Sequence, residues 1–363
     1  MILRKFSKTS SQFLTAIMLL FFAFTIQSTY AQEHDAEAVE HHSETAKEGF
    51  NAGKMILDHV MDSHSWHIMD IGEHAIALPL PIIILDNGDF HFFMSSKFEH
   101  GHASYDGYKL HENTIVNAET GLSEGILDFS ITKTTFAIFI TAFLMLLIFI
   151  SIAKSYTKRR GEAPSGLQSF MEPIILFIRD DVAKPSIGRN YEKYMPFLLT
   201  VFFFILISNL MGLVPIFPGG SNIAGNIAVT MVLAIFTFII TTASTNKAYW
   251  VHIVNMPGVP WWLKFPIPIM PLVEVMGVFT KPFVLMVRLF ANILAGHIVL
   301  LGFVSMIFIF GALSPVGGYA VSVFSVAFSI FLSLLEILVA FIQAYVFTLL
   351  SALYFGMAKV TDH

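Results

Sequence analysis

Long apolar runs separated by short polar segments dominate the chain from about residue 131 onward. A helix needs about 20 apolar residues to cross the roughly 30 Å hydrocarbon layer of a bilayer. The pattern therefore predicts an all-α multi-pass membrane protein with five membrane-embedded helices. The predicted spans cover about 135–153, 196–217, 223–243, 272–313 and 319–358.

The last two apolar runs are about twice as long as one span requires. As helices they would extend about 60 Å at 1.5 Å per residue. Each run could hold two spans joined by a tight turn, or form one strongly tilted helix. No Gly-Pro or Asn-Gly turn interrupts either run, and the charged Arg288 and Glu336 lie near the midpoints. These features favour two long tilted helices forming a hairpin, with its turn at 314–318.

The segment between the first two spans predicts a helix that lies on the membrane rather than across it. Residues 167–178 place their apolar positions on one face and are too few to span. The charged residues Arg179, Asp180 and Asp181 follow directly. This arrangement is typical of an interfacial amphipathic helix.

The N-terminal third divides into two parts before the membrane domain, residues 131–363. Residues 1–31 resemble a signal peptide, with early basic residues, an apolar run at 13–26 and small residues before a cleavage position after Ala31. An uncleaved first helix is the alternative. In both cases residues 32–130 would form an extracytoplasmic module.

The module is acidic and rich in histidine, and it contains a hairpin signal. It holds 18 Asp and Glu against 4 Lys and Arg, and 11 of the 14 His. Residues 78–85, the turn 86–89 and residues 90–94 predict strand, tight turn and strand. Imidazole is a common metal ligand, yet the histidines show no fixed ligand spacing, so no metal site is predicted. The weak candidates are His41, His42, His100 and His102.

Composition and loop charges support a membrane location and set an orientation. Hydrophobic residues make up 55% of the chain and charged residues 13%, against about 25% charged in soluble domains. The absence of cysteine excludes disulfide scaffolds and thiol catalysis. Lys154, Lys158 and Arg159 close the first span, which predicts a cytoplasmic end there, an N-terminus outside and a C-terminus in the cytoplasm.

Two polar couples are predicted to lie level across the helical hairpin. Counting back from the turn at 314–318 sets Arg288 beside Gln343 and His297 beside Glu336. The second couple lies roughly 10–14 Å nearer the outside, at 1.5 Å per residue. Ionisable groups inside a membrane are costly, so they usually face a bundle interior or a water-filled path.

The couples suggest different tasks. Arg288 stays charged and can hold a fixed potential, whereas His297 and Glu336 can exchange protons. Glu274 lies towards the cytoplasmic end, so the pattern describes two half-paths divided by an electrostatic barrier. A structural cation at Arg288 and a merely structural ion pair at His297 and Glu336 remain open alternatives.

Three segments carry a resemblance to a known family. Residues 288–297 (RLFANILAGH), 341–347 (FIQAYVF) and 208–215 (SNLMGLVP) resemble the signatures of subunit a of the rotary F-type ATP synthase. Glu274 and the Lys281-Pro282 pair match the same family's approach to the arginine. The resemblance covers roughly residues 131–358.

The resemblance implies a non-catalytic proton-channel subunit in the bacterial inner membrane. It implies that Arg288 faces the carboxylates of a c-subunit ring, and that Glu274 lines the cytoplasmic access path. Asn292 and Gln343 match polar neighbours of the arginine, and Asn209 matches a polar residue of the outer path. Many bacterial members have Glu at the position of His297 and His at that of Glu336, so the pair is exchanged here but retained.

The family also implies partners, and one other class of function competes. The implied partners are the c ring, the b subunits of the peripheral stalk, the catalytic head indirectly, and the lipid bilayer. No nucleic acid and no cofactor is expected, and the proton is the transported ion. The competing hypothesis is a metal-ion transporter with a His-rich external trap. In the long helices, however, only His297 is deep, and Arg288 would repel a cation.

Overall fold

A computed structural model describes residues 51–358, apart from 72–73, 102, 112, 160, 215–216 and 255–268. The predicted signal segment, His41, His42 and His102 therefore lie outside the described residues. The chain divides into two compact units. One contains the chain up to Ala137 together with Ser305–Val323, and the other contains Ile138–Val304 together with the part from Phe324 onward.

In its described residues, the N-terminal module consists of a short α-helix, a 3-10 helix at Ser95–Gly101 and small antiparallel sheets. Within the described residues, β1 pairs with β2, β3 lies between β4 and β7, and β5 pairs with β6. The module therefore contains sheets of two, three and two strands there, rather than one hairpin alone. The bounds are α1 Ala52–Val60, β1 Ser65–Ile71, β2 His74–Pro79, β3 Pro81–Asp86, β4 Asp89–Met94, β5 Tyr108–His111, β6 Thr114–Asn117 and β7 Ile126–Asp128.

The predicted hairpin is present as β3 and β4. Asn87 and Gly88 form its turn with φ values of +48° and +99°, the left-handed conformations that two-residue hairpin turns require. The predicted first strand was wrong at its start, because Leu78 and Pro79 belong to β2 and pair with β1. Periodicity could not separate two strands that follow each other so closely.

A buried ion pair joins two distant segments of the module. His64 Nε2 lies 2.8 Å from Asp128 Oδ2, and both side chains are almost fully buried. Burial by itself raises the pKa of Asp128, but the hydrogen bond from His64 outweighs it and holds the pKa below its usual range. The pair therefore ties the residue before β1 to β7, immediately ahead of the first long apolar helix.

Among the described residues, five apolar helices follow, as the hydrophobic pattern predicts. Four are long and apolar enough to cross a membrane, and the fifth, α6, is shorter. Together they fit a multi-pass membrane protein. Their bounds are α2 Lys133–Lys158, α5 Met195–Leu213, α6 Ile227–Ala243, α8 Ile269–Leu313 and α9 Pro315–Met357.

Shorter helices connect them. The predicted amphipathic segment forms α3, Leu167–Phe177, and continues into a π-helix at Ile178–Ala183, α4 at Lys184–Ile187 and a 3-10 helix at Gly188–Lys193. A further helix, α7, covers Lys247–Val254. In the π-helix, hydrogen bonds from Arg179 and then Lys184 hold the pKa of Asp180 well below its usual range.

The last two apolar runs form single helices of 45 and 43 residues. Glycine and serine let them approach, because a Cβ on Gly318 would lie 2.7 Å from Gly311 Cα and Ser325 Oγ donates to the Phe303 carbonyl. The predicted turn at 314–318 was too long. Ser314 accepts from Gly317 N at 3.5 Å as an N-cap, and Pro315 already begins α9, the position where proline suits a helix start.

Candidate functional site

Glu336 lies directly against the main chain of the facing helix at the depth of His297. A Cβ on Gly296 would stand 2.6 Å from Glu336 Oε1, so the carboxylate occupies the space that any other residue would fill. Gly296 precedes His297, which places the two groups of the outer couple at one level of the hairpin. The other carboxylate oxygen, Oε2, is buried with no hydrogen-bond partner among the described residues.

His297 reaches from α8 to the end of α5. A Cβ on Gly212 would lie 3.6 Å from His297 Nε2, so the imidazole packs where Gly212 carries no side chain. Asn209, one turn earlier in α5, is 5% exposed, and neither polar atom of its amide has a partner among the described residues. Glu336, His297 and Asn209 therefore lie on elements that meet around one point.

Arg288 faces outward from the hairpin. Its side chain and that of Asn292 are exposed, while Leu285, Leu289 and Ile293 on the other face of α8 are buried. Among the residues that the structure describes, no carboxylate lies within ion-pair distance of the guanidinium.

The surface around Arg288 is apolar and partly made of small residues. Val284 and Val287 are 40% and 37% exposed, and Ala291 and Ala295 are exposed on the same face. In water such a cation would need no partner. On a membrane-facing surface it needs one, because an unpaired charge in hydrocarbon is costly.

The Arg288–Gln343 couple does not form a hydrogen bond. Gln343 is 7% exposed and packs inside the bundle beside Ala340 and Ala344, whereas Arg288 lies on the exposed face. The hairpin register therefore allows similar depth, but the two side chains occupy different faces. Counting residues from the turn gives the depth of a residue in an antiparallel helix pair. It does not tell which face of the helix bears the side chain.

Glu274 lies near a small pocket at the other end of the helices. Burial and then the charge of Glu274 raise the pKa of Tyr249, which places the carboxylate close to α7. Lys281 Nζ stands 5.8 Å from the centroid of the Tyr354 ring, within cation–π range. Side chains from four helices line this pocket: Thr237, Thr241, Thr245, Tyr249, Trp250, Lys281 and Tyr354 among them.

No metal-binding group was found in the described part of the chain. There, no three His, Asp or Glu side chains stand close enough to share an ion. His100 lies in the 3-10 helix Ser95–Gly101. The described residues thus give no support to a metal-ion transporter.

Gly212 was not predicted as part of the candidate site. It lies inside the 208–215 motif but has no side chain to mark it, and the missing side chain leaves space for the His297 imidazole. A glycine inside an apolar helix that also bears a buried Asn is the signal that could have suggested a close approach.

These features define a class of protein. Two half-buried ionisable side chains, His297 and Glu336, lie between apolar helices, and the cation of Arg288 lies on an exposed face, as expected of a polytopic membrane protein that conducts an ion.

The family described as ATP synthase A chain matches residues 135–356, and the chain belongs to this family. It is a non-catalytic membrane-sector subunit of the F-type ATP synthase, with a proton-channel role.

Two relatives are similar in sequence to this chain over different lengths. ATP synthase subunit a of Chloroherpeton thalassium is 47% identical over 66% of this chain and 70% of its own. ATP synthase subunit a of Chlorobium phaeobacteroides strain BS1 is 38% identical over 92% of this chain and 86% of its own. The N-terminal module matches a separate family at residues 55–132, described as a domain of unknown function (DUF8433).

Proposed function

We propose that protons enter this subunit from outside past Glu336 and His297, load a carboxylate of a c-subunit ring, and leave past Glu274 after the ring has turned. The arrangement of three groups carries this proposal. The half-buried pair Glu336 and His297 lies at one level of the hairpin, Glu274 lies by the pocket at the other end, and Arg288 lies between these two levels on an exposed face.

Glu336, His297 and Asn209 supply the outer half-path. The carboxylate and the imidazole come from two helices that touch through Gly296, and the imidazole reaches α5 through Gly212. A carboxylate and an imidazole can pass a proton between them when their environments bring their affinities together. The buried amide of Asn209, one helical turn before Gly212, offers a donor and an acceptor.

Arg288 acts as the barrier and as the group that releases the proton. Its guanidinium stays protonated at any accessible pH, so it cannot pass a proton on. An opposite charge within about 4–6 Å lowers the pKa of a carboxylate, so a ring carboxylate that approaches Arg288 gives up its proton. The same charge repels protons that would cross between the half-paths without rotation.

The exposed face around Arg288 is the surface for the ring. Ala291 and Ala295 allow a partner helix to come close, as small residues do in membrane packing. Asn292 lies one turn from Arg288 and can donate to the same partner. Gln343 is buried in the facing helix and makes no hydrogen bond to the arginine.

The remaining assignments concern placement in the cell. The N-terminus of the mature chain lies outside and the C-terminus in the cytoplasm of a bacterial inner membrane. The two long helices tilt strongly, because about 65 Å of helix at 1.5 Å per residue must fit a layer about 30 Å thick. The helix α3 lies at the interface between membrane and water.

The b subunits hold this subunit, and the catalytic head is coupled through them; no cofactor takes part.

A disulfide experiment tests the ring-facing surface. Ala295→Cys should cross-link, in the membrane-bound complex, to a small two-helix proteolipid that carries a cysteine in its carboxylate-bearing helix. Ala344→Cys is the matched control, because Ala344 is an alanine of the facing helix that is fully buried. A cross-link at Ala344→Cys and none at Ala295→Cys would overturn the assignment of this face.

A further inference from the structure

Buried polar atoms without partners gather where the loop after α5 returns to the bundle. They are the amide atoms of Asn209, the hydroxyl of Ser221 and Nδ2 of Asn222, none of which has a hydrogen-bond partner among the described residues. The three residues are 5%, 3% and 9% exposed. Leaving such groups unsatisfied costs about 1–3 kcal/mol each, so this concentration needs a reason.

Asn222 is held in one orientation by the backbone of its own loop. Gly225 N donates to Asn222 Oδ1 at 2.9 Å. The amide lies so close to Gly225 that a Cβ there would overlap it. Because Oδ1 is used by this bond, Nδ2 is a positioned donor that remains available.

Gly212 brings the same loop to the relay group. The point where a Gly212 Cβ would stand is 3.2 Å from the Ser221 carbonyl oxygen and 3.6 Å from His297 Nε2. The loop and the imidazole therefore both lie next to one position in α5. Asn209 precedes that position by one turn of the helix.

We propose that Ser221 and Asn222 form the outer portion of the proton path and hold the water that delivers protons to His297. Polar groups that lack protein partners and converge on one place are what an internal water requires, since it makes two to four hydrogen bonds. Irregular backbone at membrane depth is tolerated where it lines a water-filled cavity. A proton that arrives on this water passes to the His297–Glu336 pair, and the water is left neutral.

This inference rests on the proposed function and extends it. The path from His297 and Glu336 inward stays as described, and the loop 219–226 becomes its outer end. Ser221 and Asn222 are positioning residues, because they act through water on the imidazole.

Thiol accessibility tests it in the intact complex. The chain has no cysteine, so Ser221→Cys and Asn222→Cys each add its single thiol. Silver ion, added from the outer side, reacts with a thiolate that water can reach and should stop ATP-driven proton pumping. The control is Ala224→Cys, an equally buried position of the same loop whose side chain packs in the apolar cluster; the unsubstituted chain controls for other subunits.

We expect inactivation of both loop variants at least about tenfold faster than that of Ala224→Cys, because reactivity follows access of water to the thiol. Equal rates would overturn the inference. Asn209→Cys separates the two proposals. Fast reaction of this variant, with slow reaction of Ser221→Cys and Asn222→Cys, would overturn the assignment of the loop but keep the outer half-path through Asn209, His297 and Glu336. Slow reaction at all three contradicts both.

A second set of variants distinguishes donation from loop architecture. Asn222→Asp keeps an oxygen for the Gly225 N–H but loses the donor and adds a titratable group, so the dependence of passive proton flux on outer pH should shift. Asn226→Ser is the control, because Asn226 Oδ1 already caps α6 by accepting from Ala228 N, and serine can cap equally. An unchanged pH profile for Asn222→Asp, equal to that of Asn226→Ser, refutes a role for Nδ2.

Discussion

Replacing Gly296 by alanine tests whether the contact between α8 and Glu336 sets the rate of proton conduction. The new Cβ would stand 2.6 Å from Glu336 Oε1, 3.4 Å from Cδ and 3.5 Å from Cγ. Only the carboxylate end must move, and a side chain forced about 30° from its preferred rotamer costs roughly 0.5–1.5 kcal/mol. Because about 1.4 kcal/mol is a factor of ten, we expect proton flux to fall roughly two- to tenfold.

The control and the rescue come from the same helix pair. Gly302→Ala adds a Cβ that meets nothing within 4 Å. Alanine is also a better helix former than glycine by about 1 kcal/mol, so neither variant should lose flux through helix stability. Adding Glu336→Asp to Gly296→Ala withdraws the carboxylate by one methylene and should recover part of the flux. The assay is ATP-driven pumping in inverted vesicles, normalised to assembled complex. Equal pumping by Gly296→Ala and Gly302→Ala would refute the reasoning.

Three further predictions concern the relay pair and the module. Single replacement of His297 or Glu336 should impair pumping, and exchanging the two residues should restore part of it; an exchange no better than either single variant counts against the pairing. Asp128→Asn should lower the unfolding temperature of the purified chain at pH 7, because it leaves His64 buried without its partner. Since the pKa of Asp128 is lowered in the folded state, that difference should persist above the unfolded value of about 3.9 and vanish as pH falls through the folded pKa; a difference independent of pH contradicts it. Deleting residues 32–130 should reduce assembly but not pumping per assembled complex, and lost pumping at normal assembly would speak against this.

The membrane part was predictable because its signals are one-dimensional. Helix length, apolar runs and the distance of Glu336 and His297 from the turn all follow from counting along the chain. The close approach of Glu336 to Gly296, the residue before His297, agrees with the level that counting from the turn predicts. The hairpin at Asn87-Gly88 was predictable for the same reason, since its turn chemistry is local.

The rest depends on which surfaces meet. The different faces taken by Arg288 and Gln343 arise from helix rotation, which numbering does not report. The loop 219–226 has its shape because Gly219 fits where a side chain would overlap the Val214 carbonyl. This close approach depends on the folded path of the chain, which the local sequence does not reveal. The short strands described in the module pair in an order that the hydrophobic periodicity of the sequence does not indicate.

Passive proton flux through vesicles stripped of the catalytic head tests the central claim, that Arg288 is a barrier rather than a relay. The comparison is between the unaltered chain, Arg288→Ala and Arg288→Lys. Loss of the fixed charge in Arg288→Ala should abolish coupled ATP synthesis yet leave a passive proton leak. Arg288→Lys should also fail in synthesis, because a lysine covered by the ring lacks the planar donors of arginine and can deprotonate. Near-normal ATP synthesis by Arg288→Ala would contradict the barrier and most of the path built around it.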